Sequence, residues 1–395
     1  MTHMTSPARK TAAIALLMNM TILGVFPLDV ILPSFPSMAR YFDTAVADIA
    51  LSVSLFSIGL SLSLLLVGPL SDRLGRKRVL IIGMGVAVMG SAGCAMAQDF
   101  AWFMVFRMIQ AVGCGSFVLS QALVQDLFIG KEQERLRIAM VTASGICISV
   151  SPLFGSWLQT WLDWRGSFQV FVIIGLLLIL KAWLLLDAPS PPSDTRLSIV
   201  NAYRQVLRDR SFVGYWLISA LAFSCHFAFI VVSPIILMEQ LGLTPYRFAL
   251  VLLLYGAAYV LGGIAAGWMN RWMDGNTQIV TGQRLIASAG VLMLALYHLW
   301  GLTVMTVMLP MILCTAGTTI TRPIATSRAM GRFPLAAGTC ASAGNVIIFV
   351  CGGLVSSLVS QSGEQVMNVL AITFLVLSGI GMGLNAREQR SAHAA

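Results

Sequence analysis

Charge is what this chain has least of. Only 10% of its 395 residues are Asp, Glu, Lys or Arg, against roughly 25% in an average soluble domain. Hydrophobic residues make up 57%, which leaves too little polar surface to clothe a soluble fold. Long polar stretches are missing as well, so there is no room for a soluble catalytic domain. The seven cysteines (Cys94, Cys114, Cys147, Cys225, Cys314, Cys340, Cys351) fall inside apolar runs. They have no metal-ligand spacing and no oxidising aqueous loop in which to pair, so they read as small packing residues. A phosphate-binding Walker loop, a paired-His zinc motif and a Ser–His–Asp ordering are all absent. The reading is therefore no enzyme, no metal and no cofactor, with any work drawn from an ion gradient. The first apolar run is long and holds Asp29 and Pro33 in place of a small-residue cleavage site, so no cleavable signal peptide is expected.

Apolar runs are what the chain has in abundance. A helix needs about 20 apolar residues to cross the hydrocarbon core. Twelve segments meet this, at 12–34, 48–70, 79–97, 100–125, 136–161, 166–187, 212–238, 246–269, 283–300, 302–321, 336–360 and 365–385. The expected fold class is an all-α polytopic membrane protein. If the N-terminus lies in the cytoplasm, Arg9, Lys10, Arg76, Lys77, Arg78, Arg135, Arg204, Arg208, Arg322, Arg328, Arg332 and Arg390 fall on the inner side. Arg40, Arg165 and Arg247 fall outside. That asymmetry obeys the positive-inside rule with both termini cytoplasmic. The net charge of +9 thereby becomes a topology signal and a contact with anionic lipid, and nucleic acid is excluded as a partner.

One connector is long. Ala188-Pro189-Ser190-Pro191-Pro192 cannot continue a helix. Leu197, Ile199, Tyr203 and Val206 then alternate with Arg204, Arg208 and Arg210 as in a short basic amphipathic helix suited to a membrane surface. The expected organisation is a six-helix bundle over 1–187, a cytoplasmic linker over 188–211 and a second six-helix bundle over 212–395. Two such halves rocking around a midplane site is the logic of secondary transporters.

Ionisable residues inside a span cost roughly 2.5–3.5 kcal/mol on insertion scales, so each is a functional candidate. Asp29 lies in the outer half of span one. A carboxylate among apolar groups can hold and release a proton near neutral pH; the alternative is a structural carboxylate beside Pro33. Arg107 opens a polar stripe in span four: Arg107, Gln110, Cys114, Phe117, Gln121, Gln125. Steps of three and four put these on one helical face. That face is expected to line a cavity between the halves, or else to glue helices together. Asp29 and Arg107 are read as a coupled pair. His226 in span seven is read first as a packing residue and second as a proton carrier, and Glu239 as interfacial. Asn19, Phe26, Tyr255, Tyr259, Asn345 and Phe349 fall on plausible inward faces.

The most specific pattern follows span two: Gly68-Pro69-Leu70-Ser71-Asp72-Arg73-Leu74-Gly75-Arg76-Lys77. Gly68 permits close helix contact, Gly75 a turn, and Asp72 a helix N-terminus or a pairing with Arg76. This loop resembles the signature of the major facilitator superfamily. Asp29-x-x-x-Pro33-x-x-Pro36, Arg107-x-x-Gln110-x-x-Gly113, Ser151-Pro152-x-x-Gly155-Ser156 and Trp164-Arg165-x-x-Phe168 resemble motifs of its twelve-span drug–proton antiporters. The Bcr/CflA-type drug-resistance transporters are the most similar, also through Gly331-Arg332-Phe333-Pro334. Ala111, Ser151 and Ser156 depart from the antiporter motifs. The counterpart loop in the second half, Gly267 to Asp274, is degenerate.

The resemblance implies a proton-coupled exporter of amphipathic small molecules or drugs, working as a monomer in a bacterial inner membrane. Arg107 would communicate with the proton site. Asp126, at the end of span four, would latch Asp72 and Arg76 as a gate, or else be a helix-end charge in water. The alternative function is export of one endogenous metabolite, such as a siderophore, sugar or amino-acid derivative. A receptor would not need a gating loop.

Overall fold

The computed structural model describes residues 7–128, 131–186, 199–269, 272–333 and 337–394; within them a few side chains, including those of Asp72, Arg73, Gln121 and Gln125, are outside the described set. In the bilayer every backbone polar group must be satisfied internally, which leaves helices as the solution for runs of this length. The chain forms α1 (Pro7–Asp29), α2 (Phe35–Phe42), α3 (Val46–Leu74), α4 (Arg76–Met96), α5 (Phe100–Cys114), α6 (Leu119–Leu127), α7 (Lys131–Leu162) and α8 (Arg165–Leu185). It continues with α9 (Ile199–Arg208), α10 (Arg210–Pro234), α11 (Pro245–Met269), α12 (Gly275–Trp300), α13 (Val304–Gly331), α14 (Ala337–Ser360) and α15 (Val366–Ala394). No strand occurs among the described residues. Among the described residues eleven helical stretches are long and apolar enough to cross a bilayer; the remaining expected span, 136–161, falls within α7. Leu66, Trp183, Leu261 and Leu358 are exposed, as lipid-facing residues are.

Several spans run further than their hydropathy predicts, the first, ninth and tenth among them. The first continues past residue 34 to Phe42 through a break in the helix. The ninth starts at Gly275, because Gln278 and Gln283 are buried within it instead of ending it. The tenth extends to Gly331 and so takes in Arg322 and Arg328, which the charge pattern assigns to the cytoplasm.

The helices group into two compact units. Unit 1 comprises 1–44 and 59–196, and unit 2 comprises 45–58 and 197–395. The division cuts α3, whose first part belongs with unit 2. There Ser54 Oγ lies 2.8 Å from Ser356 Oγ, and Ser57 Oγ donates to the Phe349 carbonyl at 3.0 Å. In unit 1, α4 packs on α5 and α8, and α1 on α7 and α8. In unit 2, α10 packs on α13, α14 and α15, and α12 on α13 and α15. Small residues let the backbones meet. A Cβ on Gly113 of α5 would lie 2.6 Å from the Gly83 carbonyl of α4, and one on Gly317 of α13 2.4 Å from the Gly282 carbonyl of α12.

The linker's proline stretch lies outside the described residues, but its helix is α9. The apolar face of α9 rests on protein instead of lying open to a membrane surface: Val206 and Tyr203 pack with Phe212, Trp216, Cys340 and Ala343. Asp209 follows, capping α10 by accepting from the Phe212 N–H at 2.7 Å and pairing with Arg332 Nη2 at 2.7 Å. Burial alone would raise its carboxyl, but the Arg332 hydrogen bond and charge, with the Phe212 N–H, hold it below the usual carboxylate range. A depressed carboxylate stabilises the fold above its unfolded value and stops doing so as pH falls through its native one. Half of the Arg332 side chain is solvent-exposed, so the pair contributes only about 0.5–1 kcal/mol after screening. Asp209→Asn, which keeps the cap, is expected to lower the melting temperature slightly at pH 7. The difference from wild type should close as the pH drops below about 4. A difference that persists at low pH would mean the pair is not its source.

Candidate functional site

The chemistry of unit 1 centres on the break in the first span. Pro33 and Pro36 carry no N–H and cannot continue the ladder. α1 therefore stops at Asp29, a 3-10 turn covers Leu32–Ser34, and α2 resumes at Phe35. The carbonyls at the end of α1 need new donors. The Val30 N–H donates to the Phe26 carbonyl at 3.2 Å. Arg107 Nη2, from α5, donates to the Pro27 carbonyl at 3.1 Å. Arg107 thus places a fixed positive charge at the negative end of the α1 dipole, where a cation is favoured.

Nη1 of the same guanidinium is tied further into unit 1. Arg107 Nη1 donates to Gln110 Oε1 at 2.6 Å, Gln110 Nε2 to Ser91 Oγ at 3.1 Å, and Ser91 Oγ to the Phe168 carbonyl at 3.1 Å. The guanidinium also lies 5.7 Å from the Phe168 ring centre. One chain of hydrogen bonds therefore joins α1, α5, α4 and α8. Asp29 is buried, at 8% exposure, and among the described residues no ion pair joins it to Arg107. The two are linked through two residues of backbone, Pro27 to Asp29. A small cleft beside them is lined by Phe26, Pro27, Val30, Ile31, Gln110, Ser167, Phe168 and Phe171.

Gly155 presses on the same break. A Cβ there would lie 2.0 Å from the Val30 carbonyl, so only glycine lets α7 come this close. Pro152 is buried one turn earlier in the same helix. The Trp164-Arg165-x-x-Phe168 motif is built differently. Trp164 is 1% exposed and packs against Phe42, Phe103 and Phe168. Arg165 stacks over Tyr41 and Trp164 at 4.3 and 4.4 Å and donates to the Ala95 carbonyl at 3.0 Å.

The polar stripe of span four keeps its register only to Cys114. There α5 gives way to a 3-10 turn, Gly115–Val118, before α6 begins. Each 3-10 residue turns further about the axis than an α residue, so the three-and-four spacing no longer fixes the face of Gln121 or Gln125. Ser63 Oγ donates to the Val112 carbonyl at 2.5 Å, and Gly115 sits against Ser63; a side chain inserted into the ladder is an ordinary cause of such a change. Gln110, Cys114 and Phe117 are buried, as is Phe26, while Asn19 is half-buried. Phe117 packs against Phe171 and Gly24. The side chains of Gln121 and Gln125 lie outside the described ones.

The signature loop is held residue by residue. Gly75 has φ +89°, a conformation that a side chain would strain. Arg76 pairs through Nε with Asp126 at 3.2 Å and donates through Nη1 to Ser71 Oγ at 2.6 Å. Ser71 Oγ in turn donates to the Gly68 carbonyl at 2.7 Å. Lys77 Nζ caps the end of α8, donating to the carbonyls of Trp183 at 2.7 Å and Leu186 at 2.6 Å. The side chains of Asp72 and Arg73 lie outside the described ones.

Unit 2 gathers a second constellation. His226 of α10 is buried; its Nδ1 is hydrogen-bonded to Tyr255 Oη, and its ring lies 5.4 Å from the rings of both Tyr255 and Tyr259 of α11. Phe223 stacks on Phe227 at 5.3 Å and meets Phe349 of α14 edge-on at 5.7 Å. Asn345, one turn before Phe349, is half-buried. Glu239 is exposed, in the π-helical turn Ile235–Gln240. Arg322 was not foreseen here. Its guanidinium lies 4.7 Å over the Phe223 ring, within electrostatic reach of His226. Reading the apolar run only to its first charge hid it. The helix runs on through Pro323 to Gly331, and that continuation was the available signal.

The model of the Major Facilitator Superfamily matches residues 12–357. The chain belongs to this superfamily. It is therefore a membrane transporter and not an enzyme. A chloramphenicol resistance protein of Pseudomonas aeruginosa is 27% identical over 397 residues, covering 95% of this chain and 90% of that one. The multidrug resistance protein MdtL of Citrobacter koseri is 25% identical, covering 96% of each. An uncharacterized MFS-type transporter of Bacillus subtilis, YdgK, is 27% identical, covering 93% of each. Among solved structures, a D-xylose-proton symporter superposes with a TM-score of 0.73 at 16% identity, over 96% of this chain and 97% of the other. At that identity the likeness concerns the superfamily's fold alone.

Proposed function

We propose that this superfamily member is a proton-coupled exporter of amphipathic small molecules, with Asp29 as the proton site and Arg107 as its positioning partner. The observation that carries the reading is Asp29's place: a buried carboxylate at the helix break within the first span, with a fixed cation holding the carbonyl two residues earlier. A carboxylate there is far less costly protonated than charged, so its proton is exchangeable in step with a change at the break. Protonation and substrate binding would alternate, and the two six-span halves would expose the site to each side in turn. The Arg76–Asp126 pair serves as the latch of the inner gate. The drug-resistance relatives support small-molecule efflux. The bacterial relatives and the lysine and arginine asymmetry support an inner-membrane location with both termini cytoplasmic. The protein would work as a monomer, in lipid.

The test is proton release. Purified wild-type protein in lightly buffered detergent is titrated with chloramphenicol and with a panel of amphipathic drugs, and the bulk pH is followed. Release with at least one compound, absent in Asp29→Asn, is the expected result. A folded wild type that releases no proton with any compound would overturn antiport at Asp29 and favour a dedicated metabolite exporter.

A further inference from the structure

Arg322 is a charge within a span, and among the described residues no carboxylate pairs with it. It lies nine residues before the end of α13 at Gly331, about 13 Å along the axis at 1.5 Å per residue. That depth is inside a hydrocarbon core about 30 Å thick. Lipid cannot be its neighbour at acceptable cost. The acidic residues of unit 2 are Asp48, Asp209, Glu239, Asp274, Glu364 and Glu388, and all lie at or near helix ends. Among the described residues none is paired with Arg322. Its Nε is buried and makes no hydrogen bond. Among the described residues its guanidinium lies against the face of Phe223, an arrangement that holds it flat and leaves its in-plane N–H groups uncommitted to that contact.

The surroundings repeat this bias. His226, Tyr255 and Tyr259 bring an imidazole and two hydroxyls, groups that can donate and that carry no negative charge. Phe223, Phe227 and Phe349 bring ring faces and edges. A planar fork of donors beside stacked rings, with no carboxylate near, fits a carboxylate or comparable oxyanion carried on an aromatic body. It repels a lipophilic cation, because a guanidinium brings a positive charge and donors only.

We propose that Arg322 is the anchor of an anion-binding subsite in unit 2, and that the exporter's preferred substrates are aromatic amphiphiles bearing an anionic group. This rests on the export reading above and narrows it. The fixed cation supplies the charge, and the Phe223 and Phe349 rings take the aromatic body.

Two matched fluorophores test it: dansylglycine, an aromatic carboxylate, and dansylcadaverine, the same ring system carrying an ammonium. Equilibrium binding to purified protein in detergent needs no proton gradient, so it reads the subsite whether or not Asp29 couples transport. Uptake of both probes into energised everted vesicles reads the export reading separately. Wild type should bind dansylglycine more tightly than dansylcadaverine. Arg322→Gln should weaken dansylglycine at least tenfold and leave dansylcadaverine unchanged or tighter, while Arg322→Lys should keep part of the affinity. Monodisperse elution and an unchanged melting temperature guard against misfolding; if Arg322→Gln fails that check, the comparison of the two probes on wild type and on Arg322→Lys decides. A wild type that prefers dansylcadaverine, fails to bind dansylglycine, or loses both probes equally on Arg322→Gln overturns the proposal.

Discussion

Asp29→Asn is expected to abolish uphill export while leaving a folded protein that still binds its substrates. Asparagine matches the carboxylate in size and hydrogen-bonds in much the same way, so the break between α1 and α2 has no steric reason to move. What it lacks is a proton to give up. Every step that couples export to the gradient would stop, and energised everted vesicles should accumulate substrate only to background. Exchange of labelled for unlabelled substrate without a gradient should continue, because the Arg76–Asp126 ion pair and the Arg107 cap on Pro27 are untouched. The fold should be no less stable, and its melting temperature equal or higher, since a buried carboxylate without an ion-pair partner costs more than a neutral amide. Wild-type rates of uphill export in Asp29→Asn would remove Asp29 from the mechanism. Loss of both uphill export and exchange would make it a structural residue.

How far the sequence could carry this site is visible in particular residues. Asp29 and Arg107 stood out because the bilayer makes any mid-span charge conspicuous. The broken helix was implicit in Pro33 and Pro36. What spacing could not reveal was the partner. Arg107 meets the carbonyl of Pro27 and the amide of Gln110, because a helix that breaks within its span creates an acceptor that no side-chain pattern records. The stripe beyond Cys114 assumed a continuous helix, and the 3-10 turn at Gly115–Val118 depends on a contact from Ser63, some fifty positions away. Arg322 was misplaced for the opposite reason. A hydropathy run ends at its first charge, while a helix ends only where its backbone loses partners. The twelve-helix fold was legible because lipid permits so few alternatives to the helix. The pairing of Ser54 and Ser57 with α14 was not, because small hydroxyls look alike on every face.

Gly155→Ala is expected to be among the most damaging single methyls in unit 1. The added Cβ would lie 2.0 Å from the Val30 carbonyl oxygen and 2.9 Å from its carbon. Both are backbone atoms, so no side chain can swing aside to make room. Either α7 retreats or the break in the first span shifts, and Asp29, one residue before Val30, moves with it. Overpacking of this kind costs about 1–3 kcal/mol. The melting temperature of Gly155→Ala should fall measurably in a thermal-shift assay on solubilised protein, and transport should fall further than the loss of folded protein accounts for. Gly155→Leu should not give folded protein. Gly263→Ala and Gly267→Ala are the controls: among the described residues nothing lies within 4 Å of a Cβ at either position, and alanine is the better helix former by about 0.5–1 kcal/mol. Those two should melt at or above wild type and transport normally. If Gly155→Ala behaves as they do, the contact between α7 and Val30 is not tight in the working protein. The motif glycine would then owe its place to something other than the helix break that positions Asp29.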